Sequence, residues 1–467
     1  MLEYRTFSFR IVLLSDTHVG DGTEAPLKDL CDGDRKAAYK RFEAATKGED
    51  VDGTTALFAR GDRGLPVIAS TGLRGALRRL LAEQDEKLAE ELFGPALLAD
   101  GATVESGHAG LLWLCGGLAD PAVIPSGCEE LPFWDPAKLT YILPGNARDR
   151  DTGAVERYKL YNTEYVPAGA EFCFDAVFRG SEDTVGSKVE PLLTLMACPD
   201  GFKLGAARGY EYGLARLAGA LRKPRHHKYS VVGRSFAAPT PFELGPGRSN
   251  GRNYREFRIS CPKPFFIQDP IRHRTDENLD WQALQREPNY PVITGKAFLQ
   301  CLRMVAARLE LEEALSEDGS HPFAYEANDL PVDDPGGHLR SLDRLANLTR
   351  TQRLFGVPGW AKIVNVHRVL VDPEPPGVYR AQTIKLDTFT QGPIDNALVE
   401  MKVPVGVGAT IWLDVQQRRY PQDFAEEEQD LAFLERVLER ARMEDAIMLG
   451  HASGAGFGWF RLEEAAA

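Results

Sequence analysis

The ten residues Leu204–Gly213, LGAARGYEYG, return later in the chain as Leu449–Gly458, LGHASGAGFG. In both copies three glycines stand at the same spacing behind the same leucine. Glycine adopts positive φ angles and lets a second backbone approach closely, so glycines at fixed spacing predict a loop of defined shape. The return of this loop predicts a chain built twice from one kind of unit.

Three further short matches occur in the same order in both halves of the chain. They are PVI at Pro66 and Pro291, LFG at Leu92 and Leu354, and GA at Gly169 and Gly408. We therefore divide the chain into a first unit, residues 1–218, and a second unit, residues 254–467. The segment between them, residues 219–253, lacks hydrophobic periodicity and is rich in turn-forming residues, which is typical of a linker.

Both units predict the same order of elements. In the first, a strand at Phe7–Leu14 precedes a helix from Ser70 or Thr71 to about Leu92, and a second helix follows at Val189–Met196. The second unit repeats this order from a strand at Glu256–Ser260 to its own glycine loop. Strand, helix, two strands, helix and strand is the βαββαβ order of a ferredoxin-like sheet. The predicted fold class is α+β, with two tandem ferredoxin-like or RRM-like units that carry long insertions.

Composition and charge limit the function classes. The chain has 467 residues and a formal net charge of −13, which argues against a uniformly basic nucleic-acid binder but leaves room for a basic stripe. We find no signal peptide, no stretch near about 18 apolar residues, and seven scattered cysteines without a CxxC motif. These features predict a cytoplasmic protein without a membrane span, a disulfide framework or a zinc finger. P-loop and HExxH motifs are also missing from the sequence, so nucleotide hydrolysis and zinc proteolysis have no support.

Local motifs of the first unit resemble the RAMP superfamily, whose members build CRISPR effector complexes. The motifs are THVG at Thr17–Gly20, LPVIASTGLRGALR at Leu65–Arg78, and the glycine loop at Leu204–Gly213. The segment Asp149–Ala154, ahead of Glu164–Pro167, also resembles the hairpin or thumb segment of type III backbone subunits.

The second unit carries counterparts of these motifs at Phe265–Ile267, Tyr290–Lys296 and Asp387–Gly392. It departs from the pattern in two ways: an aromatic residue stands in place of His18, and the helix start lacks the usual Gly-Ala pair. Two such units in one chain look like a fused double-backbone subunit of a type III-D-like complex.

This resemblance implies an antiviral activity. The chain is expected to bind CRISPR guide RNA, to assemble with other effector subunits, and to act as an endoribonuclease on single-stranded target RNA. In active relatives an aspartate cuts the target with a divalent metal such as Mg²⁺. Asp52 and Asp280 fit that place best and are predicted to be both catalytic and metal-binding, although each is equally an ordinary loop carboxylate.

The predicted RNA-binding residues fall into two groups. Backbone N–H groups of the glycine loops can bind phosphate, which nominates Gly205, Arg208, Gly209, Gly450, Ser453 and Gly454. Arg74 and Arg78 share one helix face taken to be exposed, and Lys296 is assigned the similar place in the second unit. The plainer interpretations are a tight turn packed on the sheet and a solvated helix face that pairs with Glu83 or Asp85.

Two other functions remain open. The chain can be a scaffold or cap that holds guide RNA without cutting, or a stand-alone RRM-like RNA binder. His18 fits packing or backbone hydrogen bonding better than acid–base catalysis, because it lies inside a motif at the end of a strand.

Overall fold

The structure is a computed structural model. It describes residues 3–33, 35–45, 53–95, 109–148, 155–180, 182–218, 225–230, 240–241, 254–267, 281–282, 291–317, 345–346, 348–357, 360–373, 377–386, 393–417, 420, 424–444, 447–450 and 456–464.

The first unit is a mixed α/β structure. Its strands are β1 (Glu3–Leu13), β2 (Glu24–Pro26), β3 (Thr54–Ala56), β4 (Val67–Ile68), β5 (Leu112–Leu114), β6 (Gly117–Ala119), β7 (Tyr141–Arg148), β8 (Val155–Tyr165), β9 (Glu171–Arg179), β10 (Phe202–Lys203) and β11 (Leu214–Leu217). Its helices are α1 (Leu27–Leu30), α2 (Arg35–Ala45), α3 (Ser70–Ala82), α4 (Glu86–Phe93) and α5 (Glu182–Met196).

Two strands follow in the inter-unit segment, and the second unit completes the chain. The strands are β12 (Arg225–Ser230) and β13 (Thr240–Pro241), then β14 (Arg255–Pro264), β15 (Trp281–Gln282), β16 (Val364–Val371), β17 (Gly377–Leu386), β18 (Pro393–Val415), β19 (Ile447–Met448) and β20 (Trp459–Glu464). The helices are α6 (Gly295–Glu317), α7 (Arg350–Phe355) and α8 (Glu427–Met443).

The two units share one strand order. In the first, β11, β1 and β9 lie side by side, and β5 and β6 pair with the far edge of β9. In the second, β20, β14, β18 and β16 lie in the corresponding order. All of these neighbours are antiparallel, and helices α3 and α5 or α6 and α8 contact each other beside each sheet. The internal repeat seen in the sequence is therefore a repeat of topology.

The predicted helix 70–92 is two helices rather than one. Helix α3 buries the apolar stripe that the sequence predicts, with Leu73 and Leu77 fully inside the core. It ends at Ala82, and α4 starts anew because the Asp85 carboxylate accepts a hydrogen bond from the Leu88 backbone N–H at 3.0 Å. An aspartate at an N-cap satisfies one of the unpaired amides that begin a helix, which is the physical reason for the break.

The predicted linker contains regular structure. Strand β12 pairs with residues Glu3–Ser8 of β1, along the same edge that β11 occupies further on. An open strand edge favours pairing with another segment, and β12 supplies one. Its sequence, RHHKYS, has no apolar alternation, so nothing in the local pattern predicts a strand there.

Each unit also carries a long hairpin. In the first unit, β7 and β8 pair with each other, and β3 joins the edge of β8 in parallel. In the second, β17 pairs with the first half of β18. The thumb segments Asp149–Ala154 and Asp387–Gly392 stand between these strands and lie outside the described residues. No described helix is long and apolar enough to cross a membrane.

Candidate functional site

The first glycine loop is closed on its own unit. The Leu204 N–H donates to the Gly213 carbonyl at 2.7 Å, and the Gly213 N–H donates to the Asp16 carbonyl at 2.9 Å. Gly205 and Gly213 have φ angles of +68° and +74°, and a Cβ at either would lie 2.0 Å from a carbonyl oxygen, that of His18 or Leu204 respectively. Close approach of the chain to itself therefore requires both glycines.

The second glycine loop has the same construction. The Leu449 N–H donates to the Gly458 carbonyl at 2.9 Å, and the Gly458 N–H donates to the Pro264 carbonyl at 2.8 Å. A Cβ at Gly450 would lie 2.4 Å from the Phe266 carbonyl oxygen, and one at Gly458 would lie 1.9 Å from that of Leu449. Phe266 thus takes the place of His18. Self-packing explains these glycines, and RNA contact at the loops stays a prediction.

The tip of the first loop faces the second unit. The Gly209 carbonyl accepts a hydrogen bond from the Val366 N–H at 3.0 Å, and a Cβ at Gly209 would lie 2.1 Å from Lys362 Cε. The Lys362 ammonium in turn stands 3.1 Å from the centre of the Tyr210 ring. Gly209 is therefore part of the contact between the units, whereas Arg208 is exposed to solvent.

Arg74 and Arg78 are engaged within the protein. Arg74 Nη2 donates to the Phe93 carbonyl, and Arg78 Nε donates to the Gly94 carbonyl at 3.4 Å. Arg78 also pairs with Glu86 at 2.8 Å, an acidic residue that the sequence pattern does not single out. The last carbonyls of a helix lack intrahelical partners, so the two arginines cap the C-terminus of α4.

Lys296 is not the structural counterpart of these arginines. Arg303 takes that part in the second unit, because its Nη1 donates to the carbonyl of Gly356 at 3.2 Å, just as Arg78 does in the first unit. Lys296 instead lies in the first turn of α6, with its ammonium 4.9 Å from the centre of the Tyr161 ring and in contact with the Tyr161 hydroxyl. Lys296 thereby joins the second unit to the first-unit hairpin.

The double charge reversal Arg74→Glu with Arg78→Glu tests the predicted RNA contact. If both arginines bind phosphate, guide-RNA affinity falls and the slope of log affinity against log salt flattens by roughly 0.7 per lost contact on single-stranded RNA. The matched control is Arg436→Glu with Arg440→Glu, which has the same spacing on α8. An unchanged slope with lowered thermal stability would assign the two arginines to helix capping alone.

Four predicted site residues lie outside the described part of the chain. They are Asp52, Asp280, Ser453 and Gly454. Gly53, which follows Asp52, is described, and its carbonyl accepts a hydrogen bond from Asn162 Nδ2 at 3.1 Å. Strand β3, which starts at Thr54, pairs in parallel with β8 at Thr55 opposite Asn162.

The buried carboxylate of Glu164 holds the far end of the segment that runs from Gly53 to Phe58. Glu164 of β8 has a side chain 1% exposed and accepts from Arg60 Nη2 at 2.6 Å and Thr140 Oγ1 at 2.7 Å. Its second oxygen accepts from the Phe58 N–H at 3.0 Å, and its backbone carbonyl contacts His18 Nδ1 at 2.7 Å. His18 therefore has the packing and backbone-bonding role that its position predicts.

The insertion of the first unit, about residues 21–62, contains α2, which is tied to the same hairpin of β7 and β8. Arg35, the first residue of α2, has a side chain that is 0% exposed. Its Nε donates to the Phe133 carbonyl at 2.7 Å, and its Nη2 donates to the Thr140 carbonyl at 3.1 Å and lies 3.4 Å from Glu164 Oε1. Sequence patterns do not single out Arg35 or Asn162, because both contacts join residues about a hundred positions apart.

The side chains beside Gly53 offer oxygen atoms, which are suitable ligands for a hard cation such as Mg²⁺. The described side chains beside Gly53 carry oxygen atoms, and Thr55 Oγ1 and Asn162 Oδ1 are buried without a hydrogen-bond partner among the described residues. Among described residues, no three His, Cys, Asp or Glu side chains gather as ligands. Oxygen ligands fit Mg²⁺ better than zinc.

Comparison with known proteins gives a family match over part of the chain and distant likenesses to solved structures. Residues 10–216 match the model of the RAMP superfamily. A cryo-EM structure of the type III-B Cmr-beta in its apo state has a TM-score of 0.29 and 12% identity, over 45% of this chain and 96% of that chain. A structure of the type III-B Cmr-beta bound to cognate target RNA has a TM-score of 0.30 and 16% identity, over 48% of this chain and 61% of that chain. No curated protein matches the chain.

Proposed function

We propose that the chain is a guide-RNA-binding subunit of a type III CRISPR effector complex, and that it cleaves target RNA at two metal-dependent aspartate sites. The observation that carries the proposal is the RAMP-superfamily match over residues 10–216, within the first unit. The THVG, LPVI and glycine-loop motifs of that unit lie inside the matched region and occupy neighbouring places in its fold.

The second unit supports a tandem arrangement. Its strand order β20-β14-β18-β16 is the order expected of a ferredoxin-like sheet, and so is β11-β1-β9 with β5 and β6 in the first. Its glycine loop repeats the backbone hydrogen bonds of the first loop. We infer that both units are ferredoxin-like RAMP units, and that the chain is a double-backbone subunit of the type III-D-like kind.

In this proposal Asp52 and Asp280 each hold a divalent cation and orient the target RNA. The cation, when bound, supplies positive charge that stabilises the phosphate during in-line attack by the neighbouring 2′-hydroxyl. The protein's part is to restrain the chain beside Asp52: β8 holds the Gly53 carbonyl through Asn162, and it holds the Phe58 N–H through Glu164. Exposed Arg208 provides a cation for the RNA backbone.

The alternative is a scaffold that binds guide RNA without cutting. It is favoured by the internal engagement of Arg74, Arg78 and Gly209, since groups already bonded within the protein have less to offer RNA. The second unit also departs from the first where Phe266 replaces His18.

Purification of the tagged chain together with its neighbouring subunits tests the proposal. We expect copurified RNA of defined length that carries CRISPR repeat sequence. We also expect the complex to cut a complementary RNA into products from two sites when Mg²⁺ is present. A complex that carries guide RNA but leaves the target whole would establish the scaffold function. Absence of any bound RNA would contradict both.

A further inference from the structure

We propose that Asn162 is a positioning residue of the first-unit cleavage site. It holds the carbonyl of Gly53, the residue after Asp52, and it ties that carbonyl to the hairpin formed by β7 and β8. This inference rests on the proposed function, because it gives Asn162 a part in the reaction assigned to Asp52.

The geometry that carries the inference is the contact between Asn162 and Gly53. The Asn162 side chain is 1% exposed, and its Nδ2 donates to the Gly53 carbonyl at 3.1 Å. The parallel pairing of Thr55 with Asn162 and of Ala56 with Thr163 places β3 directly beside this contact. β3 has only three residues, so its own ladder constrains the preceding residues weakly, and the side-chain bond adds a constraint at the point where the strand begins.

The chemistry of the contact requires an amide. The partly buried Gly53 carbonyl needs a donor, because a carbonyl that loses its hydrogen bond away from water is destabilised. An aspartate at position 162 has nearly the same shape but, when ionised, carries only acceptors. Its carboxylate would face the Gly53 carbonyl and push that peptide away, so Asn162→Asp inverts the contact while preserving side-chain volume.

Neighbouring residues of β8 show what the hairpin connects. Successive side chains of a strand point to opposite faces, and Tyr161 is exposed where Asn162 is buried. Tyr161 carries the contact with Lys296 of the second unit, while Glu164 bonds to the Phe58 N–H. Strand β8 therefore contacts the second unit through Tyr161 and holds both ends of the segment from Gly53 to Phe58.

The test uses the assembled complex with guide RNA and compares the two cuts within one target. We expect Asn162→Asp to slow the first-unit cut by about 10- to 100-fold at saturating target, since a small misplacement of a reacting group costs that much. The second-unit cut should stay within about twofold of wild type, and target affinity should be unchanged. A fall in the maximal rate without a change in affinity is a result that simple loss of folding does not produce.

Two further variants sharpen this experiment. Asn162→Ser keeps a hydroxyl donor and is expected to cut faster than Asn162→Asp at the first site. Asn365→Asp is the matched control, because Asn365 is also a buried asparagine whose Nδ2 donates to a backbone carbonyl, that of Ile363, at 2.9 Å in the second unit. It should leave the first cut at the wild-type rate.

Asp52→Ala separates failure of the inference from failure of the proposed function. If Asp52→Ala leaves the first cut intact, the proposed site is wrong. If Asp52→Ala removes the first cut but Asn162→Asp leaves its rate unchanged, the site stands and the positioning inference is wrong. Equal slowing of both cuts by Asn162→Asp would also overturn the inference, because it would show a general loss of structure.

Discussion

Asp52→Ala is expected to remove one of two product bands from a target RNA and to leave the other, and Asp280→Ala is expected to do the reverse. Each unit has its own insertion, glycine loop and hairpin, so each is expected to cut independently of the other. Loss of a carboxylate that orients the attacking group removes the chemistry rather than the binding, so guide and target affinity should stay nearly unchanged. Product lengths on a labelled target give the measurement.

The controls for this experiment come from the same insertion and from the metal. Asp29→Ala changes an exposed aspartate near α2 and should leave both bands. Chelation should silence both cuts together, because both sites use the same kind of cation. A result in which neither Asp52→Ala nor Asp280→Ala alters the products would show that the wrong aspartates are assigned. The next residues to replace are then Asp50, Asp62, Asp269 and Asp276, and if none matters the scaffold function is correct.

The repeat could be predicted from the sequence because its cause is local. Positions 205 and 450 require glycine, because a Cβ there would lie only 2.0 Å or 2.4 Å from a neighbouring carbonyl oxygen. This requirement is visible in the sequence as glycines at a fixed spacing. The apolar stripe of α3 is equally local, because four leucines at helical spacing define one buried face. Patterns of this kind predicted the buried face of α3, although they joined α3 and α4 into a single helix.

The parts that sequence reasoning missed depend on distant contacts. Arg303, rather than Lys296, is the counterpart of Arg78. The structure shows this because each guanidinium donates to the carbonyl of the glycine that ends a helix, Gly356 or Gly94. Asn162 and Arg35 look like ordinary polar residues in the sequence. Their importance arises from partners about a hundred positions away, which hydrophobic periodicity does not register.

Glu164→Ala is expected to destabilise the first unit by about 3–5 kcal/mol, the range for removing one partner of a buried ion pair. Arg35 would keep a fully buried guanidinium whose remaining carboxylate partner, Asp135, lies 4.0 Å away, and the Phe58 N–H would lose its acceptor. Glu86→Ala is the matched control, because Glu86 pairs with Arg78 at 2.8 Å but is 56% exposed, and a pair of that kind contributes about 0–1 kcal/mol.

Hydrogen exchange is the suitable measurement for Glu164→Ala, since it reports each region of a two-unit chain separately. Amides of β1 and β9 should lose protection, while those of β14 and β18 should keep it, because the two units have separate hydrophobic cores. A loss below about 1 kcal/mol would mean that Arg35 and Arg60 find other partners, and that the hairpin is not held to the insertion through this carboxylate. Equal loss in both units would instead mean that the contacts of Tyr161 and Gly209 make the units unfold together.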